Sequence, residues 1–321
     1  MENISDDHAV AWYRDSGRGG GLSLFPSMTI GKRFEVRDFL GRGGCGCIVQ
    51  ARDMQTGRDV ALKIYSGDMD KRGGLELFRH EFEILRQNRD GGHIPMLPHV
   101  YGDMMSYGTN LRPCFAMELL ESFDENEIAE IAEADLDRWV EDFMLKMCDT
   151  VRALHGHRIF HRDIKLDNIM ARKTVRDGVK EFEPILVDFG IAYDVQDKDI
   201  LANYLDCTGT PGDAACEQFG GQEQFDKLEV AVAIDIYALG NLIEDCLGAR
   251  VAISEEMRGK RISSRNARMN PPIPPHWLYV ESVCRARKWW DRYPSVEALR
   301  EAILHRRERC EDWIRRNGIA E

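Results

Sequence analysis

The sequence predicts an α+β chain with a β-rich N-terminal part and a mainly helical C-terminal part. Three observations carry this. Strand-like runs separated by glycines and turn residues crowd between Phe34 and Ile64. Further on, apolar residues recur every three or four positions, as in Phe143, Met147, Val151 and Leu154, the mark of a helix with one buried face. Between packed stretches lies an octet, His161 to Asn168, whose polar residues follow neither period and so read as a loop.

Taken in order, residues 1–28 are polar and carry Gly17 and Gly19 to Gly21, and they read as a flexible N-terminal extension. Trp12, Leu22, Leu24 and Phe25 leave room for docking of that leader on the folded body. Residues 29–117 form the β-rich part, and residues 118–321 the helical part with a C-terminal helix. Phe34 to Leu40 reads as a strand, Gly41 to Gly46 as a loop, and Ile48 to Ala51 as a second strand. Thr56-Gly57 turns the chain into a third strand, Val60 to Ile64. This series is an antiparallel meander, not the strand–loop–helix context of a dinucleotide fold. A helix over 75–88 follows, with Leu77, Phe78, Phe82, Ile84 and Leu85 on its apolar side. Strands are expected near Leu97–Tyr101 and Cys114–Met117, then a connector, Glu118-Leu119-Leu120. Helices are expected over 135–156, 229–247 and 277–287, and from Ser295, an N-cap preceded by Pro294, to about Arg316. The charged stretch from Ala171 to Pro184, with Asp177-Gly178, reads as an enlarged hairpin. Residues 250–275, basic and proline-rich, read as a loop.

Composition excludes several classes. The chain has 321 residues, 43% hydrophobic and 31% charged, as in an ordinary globular protein. Its net charge of −12 argues against a nucleic-acid partner. No apolar run reaches the roughly 18–20 residues of a membrane span, and residues 1–15 lack a signal-peptide core. The nine cysteines are scattered, several inside apolar runs. That pattern points to a reducing, cytoplasmic setting and not to zinc.

The octet His161-Arg162-Asp163-Ile164-Lys165-Leu166-Asp167-Asn168 offers a base, a point charge and a metal ligand in one loop. Downstream comes Asp188-Phe189-Gly190, after the apolar run Ile185-Leu186-Val187. The octet matches H-R-D-x-x-x-x-N at every fixed position and D-F-G follows in order, so the chain resembles the protein kinase family. The resemblance covers about residues 34–305. It implies a two-lobed protein kinase-like fold, with ATP between a small β-rich lobe and a larger helical lobe. The implied reaction is transfer of the γ-phosphate of ATP to serine or threonine hydroxyls of protein substrates, assisted by Mg²⁺ or Mn²⁺. Self-association for autophosphorylation is a further expectation.

Residue by residue, Gly41, Gly43 and Gly46 match the glycine loop that lets backbone N–H groups approach phosphates, although the same glycines also fit a hairpin turn. Lys63, in Val60-Ala61-Leu62-Lys63, sits in an apolar strand where an unpaired ammonium would be costly, so a carboxylate partner is expected. Glu81 stands at the family spacing, with Glu83 as the other candidate. Asp163 is implied as the group that accepts or orients the substrate hydroxyl proton, with Lys165 steadying the γ-phosphate. Lysine at 165 resembles the serine/threonine branch. Asn168 and Asp188 are implied as metal ligands, hard oxygen donors suited to magnesium. The resemblance also implies adenine contacts from Ile48, Ala61, Met117 and Met170, backbone bonds from Glu118 to Leu120, and a ribose contact from Asp124. Thr208 and Thr210 lie in the implied activation segment, Thr210 directed toward Asp163 and Lys165. Thr208 is the favoured regulatory hydroxyl over Tyr204 and Thr210, to be read by Arg162. Ala215-Cys216-Glu217 stands where A-P-E is usual, with Arg292 as the implied ion-pair partner of Glu217. Asp235 is implied as the anchor beneath the catalytic loop. Asp124, Asp167 and Asp245 would suit basic substrates, and the basic run from Arg258 to Arg268, with Ser263 and Ser264, would suit docking or autophosphorylation.

Two other readings share some of these residues. A small-molecule phosphotransferase of related fold usually lacks the Arg162 equivalent and the Gly-Thr-Pro segment with its Glu–Arg latch. A non-catalytic pseudokinase scaffold has usually lost the lysine, the catalytic aspartate or the metal aspartate, and Lys63, Asp163 and Asp188 are all present.

Overall fold

The computed structural model describes residues 13–14, 23–24, 26–43, 46–65, 74–89, 97–107, 112–122, 125–176, 179–195, 214–219, 227–252 and 274–317. The chain divides into two units. The first comprises Met1–Gly92, Pro98–Leu120 and Asp188–Gly190; the second comprises His93–Leu97, Glu121–Val187 and Ile191–Glu321.

In the first unit, Tyr13–Arg14 (β1) pairs with Ser23–Leu24 (β2). The main sheet contains Thr29–Ile30 (β3), Phe34–Gly43 (β4), Gly46–Asp53 (β5), Arg58–Tyr65 (β6), Met105–Tyr107 (β7) and Arg112–Glu118 (β8), in the order β3-β4-β5-β6-β8-β7. Every neighbouring pair is antiparallel. Side chains alternate across a strand, so β6 serves two faces. Val60, Leu62 and Ile64 enter the core with Phe34, Val36, Val49, Cys114 and Ala116. Ala61, Lys63 and Tyr65 fall on the opposite face, where Phe78 of the helix Gly74–Arg89 (α1) packs 5.7 Å from Tyr65 and 5.2 Å from Phe115. Leu24 is fully buried in the same core, so this part of the leader belongs to the folded body.

Two expectations here are corrected. The run Leu97–Tyr101 does not form a strand. Pro98 has no N–H to donate and Gly102 turns the chain at φ 85°. Only Val100 bridges to Met117, and β7 makes the ladder with β8 instead. The glycine stretch is less of a loop than expected, because pairing of β4 with β5 continues to Gly43 opposite Gly46.

In the second unit, the helix Glu125–Gly156 (α2) is followed by Leu228–Ala252 (α3), Pro275–Cys284 (α4), Val296–Leu304 (α5) and Arg306–Asn317 (α6). The α3 segment is apolar on all sides, as suits a helix surrounded by others, and Ile234, Ile236, Leu239, Leu242 and Ile243 are all buried. Gly240 lets α3 and α4 approach closely: a Cβ there would lie 2.6 Å from Cys284 Cβ. Three strands, Glu121–Ser122 (β9), Ile169–Arg176 (β11) and Val179–Leu186 (β12), form a sheet ordered β12-β11-β9. Ile159–Phe160 (β10) pairs with Tyr193–Asp194 (β13). The enlarged hairpin is present as the eight-residue pairing of β11 with β12. Its Asp177-Gly178 turn lies outside the described residues, as does most of the basic loop.

Helix ends differ from expectation. α2 begins ten residues earlier than position 135, in a Glu- and Ala-rich segment of high helix propensity whose Ile128, Ile131, Ala132 and Leu136 keep the helical spacing. The single final helix is two. Ser295 caps α5 by accepting a hydrogen bond from the Ala298 N–H at 3.2 Å. The chain then breaks at His305, where Arg306 turns inward to lie 4.6 Å over the Trp277 ring.

Candidate active site

The first unit holds Lys63 and its carboxylates. Lys63 is 2% exposed, and its Nζ donates to both carboxylate oxygens of Glu81, at 2.6 and 2.5 Å. Asp188 Oδ1 lies 3.6 Å from the same nitrogen. Burial pushes the Glu81 carboxyl up; Lys63 pulls it back and Asp188 pushes it up again, leaving it above the usual range. Glu83 instead pairs with Arg86 at the helix surface. Asp188 adopts φ 65°, in the left-handed region. The register Ile48↔Lys63 and Ala61↔Met117 puts these four residues on one face of the sheet. The Glu118 N–H donates to His99 O at 2.7 Å. Gly46 has a reason of its own to be glycine, because a Cβ there would run into the Ile64 carbonyl. Gly41 has open space around its Cβ position.

The second unit holds the polar octet, carried on a loop between β10 and β11. Asp163 Oδ2 accepts from Lys165 Nζ at 2.8 Å and from Asn168 Nδ2 at 2.9 Å. Asn168 Nδ2 also donates to the Asp163 carbonyl at 2.8 Å. With its nitrogen spent in this way, the carboxamide of Asn168 keeps its oxygen as an acceptor. Beneath the loop, Asp235 is fully buried on α3. Its Oδ1 accepts the Arg162 N–H at 2.8 Å, and its Oδ2 accepts the His161 N–H at 3.0 Å. His155 Nε2 lies 2.9 Å from that second oxygen. Burial alone would raise the Asp235 carboxyl, but His155 and the Arg162 amide outweigh it and hold it below its usual value.

Arg162 is 2% exposed and sits at φ 68°. Burial lowers its guanidinium to about 10, against the opposing charges of Asp235 and Tyr193. Its Nη1 donates to Ile191 O at 3.4 Å. Nearby in the same unit, the Arg292 guanidinium is buried against Glu217. Nη2 donates to both carboxylate oxygens at 3.1 and 3.0 Å, and Nη1 donates to Ala233 O at 2.9 Å. Cys216, in the usual proline position, is exposed and contacts Arg287 O at 3.7 Å. Met170 lies on β11, opposite Ile185. Asp167 is exposed, and Asp245 is partly buried on α3. Asp124, Tyr204, Thr208, Thr210, Ser263 and Ser264 lie outside the described residues.

Two residues of this constellation escape the sequence reading. His155 supports Asp235 from the end of α2. Gln218, 2% exposed, donates from Nε2 to the Arg162 carbonyl at 2.8 Å. The position of Gln218 directly after Glu217 was its only signal in the sequence.

Comparison with known proteins agrees with this geometry. The family described as the protein kinase domain matches residues 34–286. The serine/threonine-protein kinase Pkn1 of Myxococcus xanthus is 28% identical over 286 residues, covering 82% of this chain and 37% of the relative. The probable serine/threonine-protein kinase PknB of Bifidobacterium longum is 26% identical, covering 87% and 40%. The serine/threonine-protein kinase PknD of Chlamydia trachomatis is 26% identical, covering 85% and 31%. The chain thus spans well under half the length of these curated relatives. A crystal structure of a kinase domain superimposes with a TM-score of 0.59 at 14% identity, over 88% of this chain and 98% of that one. That likeness shows the two-lobed fold, and the family match supplies the identity: the chain belongs to the protein kinase domain family.

Proposed function

We propose that this chain is an ATP-dependent serine/threonine protein kinase. The carrying observation is the Asp163 carboxylate, held by Lys165 and Asn168 on a loop anchored by Asp235. Phosphoryl transfer needs its phosphates held, their charge neutralised and the attacking hydroxyl aligned. Asp163 aligns the serine or threonine hydroxyl and receives its proton, and Lys165 neutralises the phosphoryl group in transfer. Lys63, kept in place by Glu81, binds phosphate oxygens of ATP. Gly41, Gly43 and Gly46 bring backbone N–H groups to the phosphates. Ile48, Ala61 and Met117, on one face of the sheet, take the adenine, with backbone bonds from Glu118 to Leu120 and contacts from Met170 and Asp124. Asn168 and Asp188 each offer a hard oxygen donor suited to a divalent cation, Mg²⁺ or Mn²⁺; among the described residues no cluster of three His, Cys, Asp or Glu offers a self-sufficient metal site. When bound, such a cation neutralises charge on the phosphates. Arg162 reads phosphate on Thr208, and the Glu217–Arg292 pair supports the substrate-facing segment that contains Thr210. Lysine at 165 and the similarity to serine/threonine-protein kinases support serine/threonine preference.

The test incubates the purified chain with labelled ATP, Mg²⁺ and generic protein substrates, beside Asp163→Asn and Lys63→Met. Wild type is expected to transfer phosphate about a hundredfold faster than Asp163→Asn, and phosphoamino-acid analysis to show phosphoserine or phosphothreonine. Equal transfer by wild type and both variants would overturn the proposal.

A further inference from the structure

We propose that Gln218 is a positioning residue for Asp163, a role that rests on the phosphoryl-transfer reading above. Gln218 lies in the short 3₁₀ turn Cys216–Phe219 and is almost wholly buried. The oxygen and nitrogen of its carboxamide face different segments. Oε1 accepts the Ala215 N–H at 3.0 Å, and Nε2 donates to the Arg162 carbonyl at 2.8 Å.

That carbonyl is half of the peptide unit linking Arg162 to Asp163. The other half is the Asp163 N–H, which donates to His161 Nδ1 at 3.3 Å. Both edges of the plane are therefore held, one by His161 and one by Gln218. A peptide unit is rigid about its C–N bond, so fixing the plane fixes the position of the Asp163 Cα and the N–Cα axis about which its side chain is set, and Asn168 and Lys165 then hold the carboxylate. The hold matters because Arg162 occupies φ 68°, where non-glycine residues are disfavoured. Asp235 secures the Arg162 N–H on one side of the unfavourable dihedral, and Gln218 secures its carbonyl on the other. Without Gln218, the carbonyl loses that buried donor and the plane is held at one edge only, by the longer bond to His161.

The chemistry requires an amide. Glutamate at 218 would keep the acceptor for Ala215 but set an oxygen against the Arg162 carbonyl. Methionine would keep the size and offer neither strong bond. The arrangement also couples two segments of the larger unit. Gln218 adjoins Glu217, which Arg292 fixes, so the turn that carries the Glu–Arg pair reaches the catalytic aspartate through one side chain.

The experiment uses the full chain with Gln218→Glu and Gln218→Met, beside wild type and Asp163→Asn. It measures kcat, KM for ATP and KM for a generic protein substrate, with thermal midpoint and binding of a fluorescent ATP analogue as folding controls. Misplacing a catalytic group by a fraction of an ångström to an ångström is expected to lower kcat by about tenfold to a hundredfold, with KM for ATP and analogue binding unchanged. A role confined to holding the turn would raise KM for the protein substrate and leave kcat intact. Full kcat in a folded Gln218→Glu or Gln218→Met variant would overturn the inference while leaving the kinase reading standing. If Gln218→Met does not fold, Gln218→Glu, which keeps the size and the bond to Ala215, decides alone. Wild type no faster than Asp163→Asn would overturn the kinase reading, and the inference with it.

Discussion

Burying Lys63 sets a constraint on its surroundings, because an ammonium removed from water needs compensation. Glu81 supplies it through two short hydrogen bonds. Breaking such a pair strands one charge, so Glu81→Ala is expected to lower stability by about 3 kcal/mol, read as a shift in urea midpoint; an unchanged midpoint would contradict the account. A second cluster governs acid behaviour. Asp137 of α2 accepts from His276 at 2.8 Å and Trp277 at 2.6 Å of α4, and from Arg306 at 2.6 Å and Arg307 at 2.8 Å of α6. Burial pushes its carboxyl up, but those bonds outweigh burial and hold it well below the usual carboxylate range. A downward shift stabilises above the unfolded value, near pH 3.9, and the benefit is lost as pH falls below it. Asp137→Asn should therefore weaken the protein at neutral pH and flatten its acid decline, which denaturation across about pH 3 to 7 would reveal. An acid decline as steep as in the wild type would refute this. Lys63 was legible because an ammonium inside an apolar strand demands a carboxylate, and Glu81 was preferred to Glu83 by the spacing that the kinase resemblance implies. His155, Gln218 and Asp137 were not, since their partners lie 56 to 170 positions away and only the folded chain brings them close.

Elements were legible where period and punctuation agreed. The meander between Phe34 and Tyr65 and α1 follow their apolar patterns closely, and Ser295 does cap a helix. Boundaries failed where tertiary contacts decide, as at His305, and at the start of α2, where the helical spacing of Ile128, Ile131 and Leu136 extends the helix ten residues upstream of position 135. Ser295→Ala is expected to cost about 1 kcal/mol, while Ser295→Asp should preserve most of the capping, a contrast that thermal denaturation can resolve. Glycines mark the tightest element contacts. Gly46→Ala must move β5 away from β6, and Gly240→Ala must part α3 from α4. Each is expected to lose about 2 kcal/mol or more. Gly41→Ala, with open space at its Cβ position, should lose under about 1 kcal/mol. Equal stability losses at Gly41 and Gly46 would argue against the crowding seen at Gly46.

At the scale of the whole molecule, the two units are not consecutive stretches of chain. The smaller one includes Asp188–Gly190, and Phe189 in that tripeptide is fully buried. The Phe189 N–H also bonds to Glu81 within that unit. Phe189→Ala is accordingly expected to destabilise the smaller unit by about 3–5 kcal/mol, seen as earlier loss of hydrogen-exchange protection in β5 and β6. Unaltered protection there would show that Phe189 is not part of its core. No periodicity announces such an insertion, and the D-F-G motif alone marked the place. The consequence reaches into biosynthesis. A chain emerging from the ribosome makes its N-terminal residues first, yet the N-terminal unit lacks its last buried aromatic until residue 190 has been made. Its nascent form must therefore wait, one buried aromatic short, while the 67 residues of the larger unit from Glu121 to Val187 are synthesised.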